Sequence, residues 1–224
     1  TVRLICGADP KTGGTVLVDG RPAQIATPAD AVRQGIGWVP EDRKQQGLIL
    51  GMDVKQNATL AVLKRISSSL GAIDTKQERA IADQYVRRLA IATPSITKVV
   101  GELSGGNQQK VVLAKWLASQ PKILILDEPT RGIDVGAKAE VHALMSELAG
   151  QGIAILMISS ELPEIMGMSD RVFVMCQGRV TGEFERRELS QEAIMSCATQ
   201  FLALDAPHAT DGVDREGAMG RTHI

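Results

Sequence analysis

The sequence predicts an α/β domain built on a mostly parallel β-sheet, and three observations carry that prediction. Ile123-Leu124-Ile125-Leu126, after Pro121, and Ile153-Ala154-Ile155-Leu156-Met157-Ile158 are short continuous apolar runs, as expected of strands buried on both faces. Between them, about residues 136–148, Val141, Leu144, Met145 and Leu148 recur at helical spacing, with Gly150 and Gly152 as stops. Strand, helix and strand make a βαβ unit, which forces parallel pairing and a right-handed crossover. The first of the two strands ends in Asp127-Glu128, and ligands of open α/β sheets bind at the carboxyl ends of strands.

Bulk properties narrow the classes. With 224 residues the chain can bury about 70% of its unfolded surface, enough for one domain with a real core. A hydrophobic content of 44% with 23% charge is ordinary globular composition. A net charge of −1 and 3% aromatic residues argue against nucleic-acid partners. Cys6, Cys176 and Cys197 lack metal-like spacing and read as reduced residues of a cytosolic protein. No apolar run reaches the ~18 residues of a membrane span, and no signal peptide is read. Thr1 stands in mid-pattern, so the expectation is a piece of a longer chain.

In order, residues 2–6 read as the end of a helix stopped by Gly7, followed by turns at Asp9-Pro10 and Gly13-Gly14. Residues 15–18 read as a strand, Asp19-Gly20 as a tight turn and 23–25 as a second strand edge. Thr27-Pro28-Ala29-Asp30 is a helix start, with an N-cap, a proline and a first-turn acid; Gly35 ends that helix. Residues 36–40 form a short strand, and 41–44 (Glu-Asp-Arg-Lys) read as a charged turn. Residues 54–92 are mainly helical, with Asp74 and Gln77 as a capping box and Ile81, Tyr85, Val86 and Leu89 on one face. A further helix opens at Ser104-Gly105-Gly106 and buries Val112, Leu113, Trp116 and Leu117. Residues 162–168 read as a short helix, limited by Pro163 in its first turn. Residues 171–176 and 179–183 make a hairpin about Gln177-Gly178, and Ser190 caps a last helix to about Thr199. Residues 205–224 are polar, Gly-rich and aperiodic, and disorder is expected there.

Two stretches carry phosphate chemistry. At Ser104-Gly105-Gly106 unpaired N–H groups and the positive end of a helix dipole face outward, and glycine lets a backbone approach a phosphate. At Asp127-Glu128 one carboxylate can hold Mg2+ and the other can orient or deprotonate water. Singly, each is an ordinary loop or strand end; their joint order and spacing carry the functional reading.

Leu103-Ser104-Gly105-Gly106-Asn107-Gln108-Gln109, then Leu124-Ile125-Leu126-Asp127-Glu128-Pro129-Thr130, then Arg131-Gly132-Ile133-Asp134, resemble the signature motif, Walker B strand and D-loop of ATP-binding-cassette (ABC) ATPases. The form DEPTRGIDVGAK resembles the ATPase subunits of bacterial sugar importers, especially their second cassette, and the resemblance covers roughly residues 7–201. It implies a P-loop NTPase fold of the ABC type, spanning residues 1–204, with an N-terminal β-arm and a helical subdomain at about 52–105. The motif G-x-x-x-x-G-K-[ST] does not occur in the sequence, so the expected fold lacks the first strand and P-loop.

The resemblance also implies roles. Glu128 is expected to activate water, Asp127 to hold Mg2+ through water, and Asp134 to reach across a head-to-tail dimer of cassettes. Ser104, Gly105, Gly106 and Gln108 are expected to meet the γ-phosphate of ATP held by a partner cassette. Glu41 stands at the Q-loop position, facing either the metal or the membrane partner. Ser160 stands where the family usually places a switch histidine, and none of His142, His208 and His223 is a stand-in. The implied function is ATP hydrolysis driving sugar import, at the cytoplasmic face of the inner membrane, with permease subunits and, indirectly, a sugar-binding protein. The alternative is a non-catalytic cassette that completes a partner's ATP site. ABC proteins of DNA repair or translation carry long coiled coils or basic linkers, which this sequence does not show.

Overall fold

The structure, a computed structural model, describes residues 1–200, and the expected disorder at 205–224 lies outside them. The chain divides into two compact units, Thr1–Ser169 and a second beginning at Asp170.

The first unit opens with a helical turn, α1 (Val2–Ile5). It stops at Gly7, whose backbone sits at φ +69° and where a Cβ would lie 2.7 Å from the Thr27 carbonyl carbon. Only glycine fits there. A small β-arm follows, β1 (Leu17–Val18) against β2 (Arg21–Pro22). The second arm strand begins two residues earlier than expected. Asp19 (φ +52°) and Gly20 (φ +73°) form a two-residue mirror-image turn that leaves no spacer before pairing resumes. Helix α2 (Pro28–Arg33) begins as expected, with Thr27 and Asp30 in a reciprocal capping box.

Strand β3 (Ile36–Val39) leads into a π-helical turn, Arg43–Gly47, and then α3 (Val54–Thr59) and a 3-10 turn, Leu60–Arg65. Helix α4 (Thr75–Arg88) is capped by Asp74, whose carboxylate accepts from the Lys76 and Gln77 amides. The expected box does not close, because the Asp74 N–H donates to the Ile66 carbonyl (2.7 Å). In this helical region a closed box lies at Asp53 and Gln56, starting α3.

Helix α5 (Gly105–Leu117), strand β4 (Ile123–Asp127), helix α6 (Val135–Gly150), strand β5 (Ala154–Ile158) and helix α7 (Leu162–Met168) complete the unit. The strands pair in parallel in the order β3-β4-β5, with Trp38 opposite Ile125 and Ile125 opposite Leu156. Strand β4 is buried on both faces. Leu124 and Leu126 point into the main cluster, with Leu113, Val112 and Val39, while Ile125 joins a second cluster with Cys6, Val18, Ala31 and Ile36. Each such side chain contributes about 1.5–3 kcal/mol of burial.

Two burial expectations are corrected. Strand β5 is not buried on both faces: Leu156 is 41% exposed, lying outside the cluster that covers Ile125, its neighbour on the same face of β4. Helix α5 does not bury one face; residues 111–115 are all buried. It runs between β3, α3 and α4, so no side meets solvent there.

The second unit is a hairpin, β6 (Arg171–Cys176) against β7 (Arg179–Glu185), turned at Gln177 (φ +48°) and Gly178 (φ +78°). Ser190 caps α8 (Gln191–Ala198) by accepting from the Ala193 amide. Alternation buries Val172, Val174 and Cys176, and Ile194 of α8 is buried too. The three cysteines are free. No helix among the described residues is long and apolar enough to cross a membrane.

Candidate functional site

The first half of the site is the carboxyl edge of the sheet. As β4 ends, Glu128 takes a left-handed backbone (φ +47°), a conformation disfavoured for any residue with a Cβ. Two bonds hold it there: the Glu128 N–H donates to Ile158 O of β5 (2.9 Å), and its carbonyl accepts from Arg131 N–H (3.1 Å). The neighbouring Asp127 is partly buried. Burial first, and the Glu128 charge second, push its carboxyl above the usual carboxylate range. Cys6 lies on the other side, its thiol pushed up to about 11 by burial and then by the Asp127 charge. Ser159 and the exposed Ser160 leave the end of β5 beside this pair, with the Ser159 hydroxyl accepting from Glu161 N–H (3.0 Å).

The second half is built from two helix starts. Ser104 caps α5: its Oγ accepts from Asn107 N–H (3.4 Å) and Asn107 Nδ2 (2.9 Å). A hydroxyl has a single O–H, and that donor is not used by the cap. Asp134 caps α6 by accepting from Ala137 N–H (2.9 Å). The two starts touch. A Cβ on Gly106 would meet Ala137 Cβ at 3.0 Å, and one on Gly105 would lie 3.5 Å from Gly132 O. The glycines therefore serve packing within this chain as well as any phosphate approach.

The turn between β4 and α6 joins the halves. Arg131 forms an ion pair with Glu41. Arg43 donates from Nη1 to Arg131 O (3.1 Å) and from Nη2 to Gly132 O (3.2 Å). Glu41 is thus matched to a guanidinium, and no group of three or more His, Cys, Asp or Glu able to hold a metal exists among the described residues.

Gln108 is corrected. It was expected to face a phosphate, but it is 4% exposed and its amide donates inward to Val100 O (3.3 Å) and Leu103 O (3.1 Å). The helical period puts it on the side of Val111, Val112 and Lys115. At the same helix start, Asn107 is the less buried amide, fixed by Ser104 and by Ala92 N–H, which donates to its Oδ1 (2.8 Å). Two residues escaped the sequence reading altogether. Arg43 looked like part of a charged turn, and Lys115 is a buried lysine whose Nζ donates to Gly47 O (2.6 Å). Helical phase alone marks Lys115, which falls among the apolar residues of α5.

The family described as ABC transporter matches residues 1–131. The chain is 54% identical over 189 residues to the xylose import ATP-binding protein XylG of Geobacillus kaustophilus, covering 84% of this chain and 37% of that protein. It is 51% identical over 197 residues to the ribose import ATP-binding protein RbsA of Yersinia pestis, covering 88% and 39%. The chain thus spans under two-fifths of the length of these curated relatives. A solved dimeric ATP-binding cassette, in a post-hydrolysis state with ADP and Pi, shares the fold with a TM-score of 0.70 at 21% identity, over 84% of this chain and 80% of that one. With the family match running through more than half of its residues, from α1 past the end of β4, this chain belongs to the ABC transporter family.

Proposed function

We propose that the chain is the ATP-handling part of an ABC importer for sugars, in which hydrolysis drives uptake. The observation that carries the reading is the end of β4. There Asp127 and Glu128 sit side by side, Glu128 is held at φ +47°, and the turn they begin leads to two touching helix starts. The names of the 54% and 51% identical relatives, xylose and ribose import ATP-binding proteins, support the substrate class.

The residues fit Mg2+ with ATP. Adjacent carboxylates, one raised by burial and by the other's charge, are the situation a divalent cation relieves. When bound, Mg2+ supplies neutralisation of charge on the phosphoryl group. In this reading Asp127 would hold it, and the Glu128 carboxylate orients the attacking water and accepts its proton. The Ser104 O–H and the N–H groups of Gly105 and Gly106 donate to the γ-phosphate of ATP held by a second cassette in a head-to-tail dimer. Asp134, by capping α6, sets the turn that meets that partner. Glu41 steadies the turn through Arg131, and Gln108 steadies the loop before α5. Permease subunits, and through them a sugar-binding protein, complete a peripheral assembly on the cytoplasmic face of the membrane.

A second reading, a non-catalytic cassette that completes a partner's site, is favoured by Ser160, whose hydroxyl cannot supply the protonated contact of a histidine. ATP titration with and without Mg2+, on the protein from its full reading frame, tests the site itself. Mg2+-dependent binding that weakens in Asp127→Asn is expected; equal binding in both would remove Asp127 from the metal site.

A further inference from the structure

Arg43 lies among three parts of the site without belonging to any of them. Its Nη1 and Nη2 donate to the consecutive carbonyls of Arg131 (3.1 Å) and Gly132 (3.2 Å), across 88 and 89 positions of sequence. Gly132 sits at φ +67°, and that left-handed residue presents both carbonyls to one guanidinium. The same Nη2 would stand 2.8 Å from a Cβ on Gly105, so the guanidinium occupies the space over the first residue of α5. Its Nε is buried without a hydrogen-bond partner.

The base of the side chain is fixed as well. Arg43 begins the π-helical turn Arg43–Gly47, which Asp42 caps by accepting from Lys44 N–H (2.9 Å) and Gln45 N–H (3.0 Å). Lys115 of α5 donates to Gly47 O (2.6 Å), and a Cβ on Gly47 would meet Val112 Cγ2 at 3.0 Å. The turn is therefore seated on α5 at one end and grips the turn after β4 at the other.

We propose that Arg43 is a positioning residue of the nucleotide site. Its planar fork fixes residues 131–132, and with them the course of the chain from Glu128 to Asp134, against the start of α5 at Ser104-Gly105. Lysine is not equivalent, because a point charge on a flexible stem cannot satisfy two carbonyls in one plane. The proposal deepens the ATP-hydrolysing reading above and rests on it.

The experiment is steady-state ATP hydrolysis by the protein from its full reading frame, comparing wild type, Arg43→Met, Arg43→Lys and Glu128→Gln, with urea midpoints measured alongside. Misplacement of catalytic groups by about an ångström costs on the order of 100-fold. Arg43→Met is expected to lower kcat by roughly 10- to 100-fold with KM for ATP within about twofold, and Arg43→Lys to recover only part of the loss. An unchanged kcat in folded Arg43→Met, beside an inactive Glu128→Gln, overturns the proposal and leaves the ATPase reading standing. A raised KM at unchanged kcat overturns it too, as does full rescue by Arg43→Lys. Wild-type turnover in Glu128→Gln would instead remove the hydrolytic reading itself. Should Arg43→Met fail to fold, the Arg43→Lys kcat decides the question: a loss with KM for ATP unchanged supports the proposal, and wild-type kcat overturns it.

Discussion

Lys115→Met tests whether a cation is held inside the core of this domain. Lys115 is 7% exposed, and among the described residues no carboxylate pairs with it; its Nζ donates to Gly47 O at 2.6 Å and lies 5.0 Å from the Trp116 ring centroid. Burial lowers its pKa from 10.5 to about 8. The ammonium is therefore still charged at neutral pH, at a cost of roughly 3 kcal/mol relative to the unfolded chain. Methionine removes that cost but leaves Gly47 O without its donor, which costs about 1–3 kcal/mol. At pH 7 the variant should thus lie between about equal stability and ~2 kcal/mol of gain. The decisive quantity is the pH dependence. Between about 8 and 10.5 the unfolded lysine binds a proton that the folded one has lost, so wild-type stability rises with pH through that window. Cys6, raised from 9.0 to about 11, acts in the opposite direction, since its contribution is lost as pH rises, but it is common to both proteins. Urea unfolding of both at pH 7 and pH 10 isolates Lys115. Wild type should gain about 2–3 kcal/mol on the variant between the two. A difference independent of pH would refute the buried-cation argument.

Three further outcomes follow from the same geometry. Asp127→Asn should stabilise the nucleotide-free protein at pH 7, because the folded carboxyl is raised by burial and by Glu128 and loses stability as it ionises; the gain should vanish in acid, below the range where aspartate titrates, as thermal unfolding across pH would show. Asn57→Ala should cost about 2–4 kcal/mol in urea unfolding, since the fully buried amide accepts from Ile49 N–H (2.8 Å) and donates to the Ile49 (3.1 Å) and Asp53 (3.0 Å) carbonyls. Gly7→Ala should be strongly destabilising, by more than about 1 kcal/mol, because it combines a φ of +69° with backbone of Thr27 at 2.7 Å; a midpoint equal to wild type would show that the turn relaxes.

Local chemistry was the legible part. The βαβ unit from β4 to β5 and the caps at Thr27, Asp74 and Ser190 depend on neighbours a few residues away, and the structure has them where the pattern put them. Asp127 and Glu128 were legible because a strand end is a local event, but the left-handed backbone of Glu128 was not, since it depends on Ile158 O supplied from the next strand. Gln108 was misread by taking motif order over helical phase: its neighbours one turn on, Val111 and Val112, already placed it inward. The exposure of Leu156 could not be read, because an apolar run does not say what packs over each face of its strand. Arg43 was hidden for a stronger reason. Its partners lie nearly ninety positions away, and nothing in Glu-Asp-Arg-Lys distinguishes a solvated charge from one gripping two carbonyls.

In the proposed reading, Glu128 activates water at the end of β4. The most direct test is ATP turnover by wild type and Glu128→Gln, in the protein from its full reading frame, with ATP affinity measured on the same samples. Losing a positioned general base costs on the order of 100- to 10,000-fold. A loss of that size in Glu128→Gln, with ATP still bound in the presence of Mg2+, is the expected result. Equal turnover in the two proteins would contradict it.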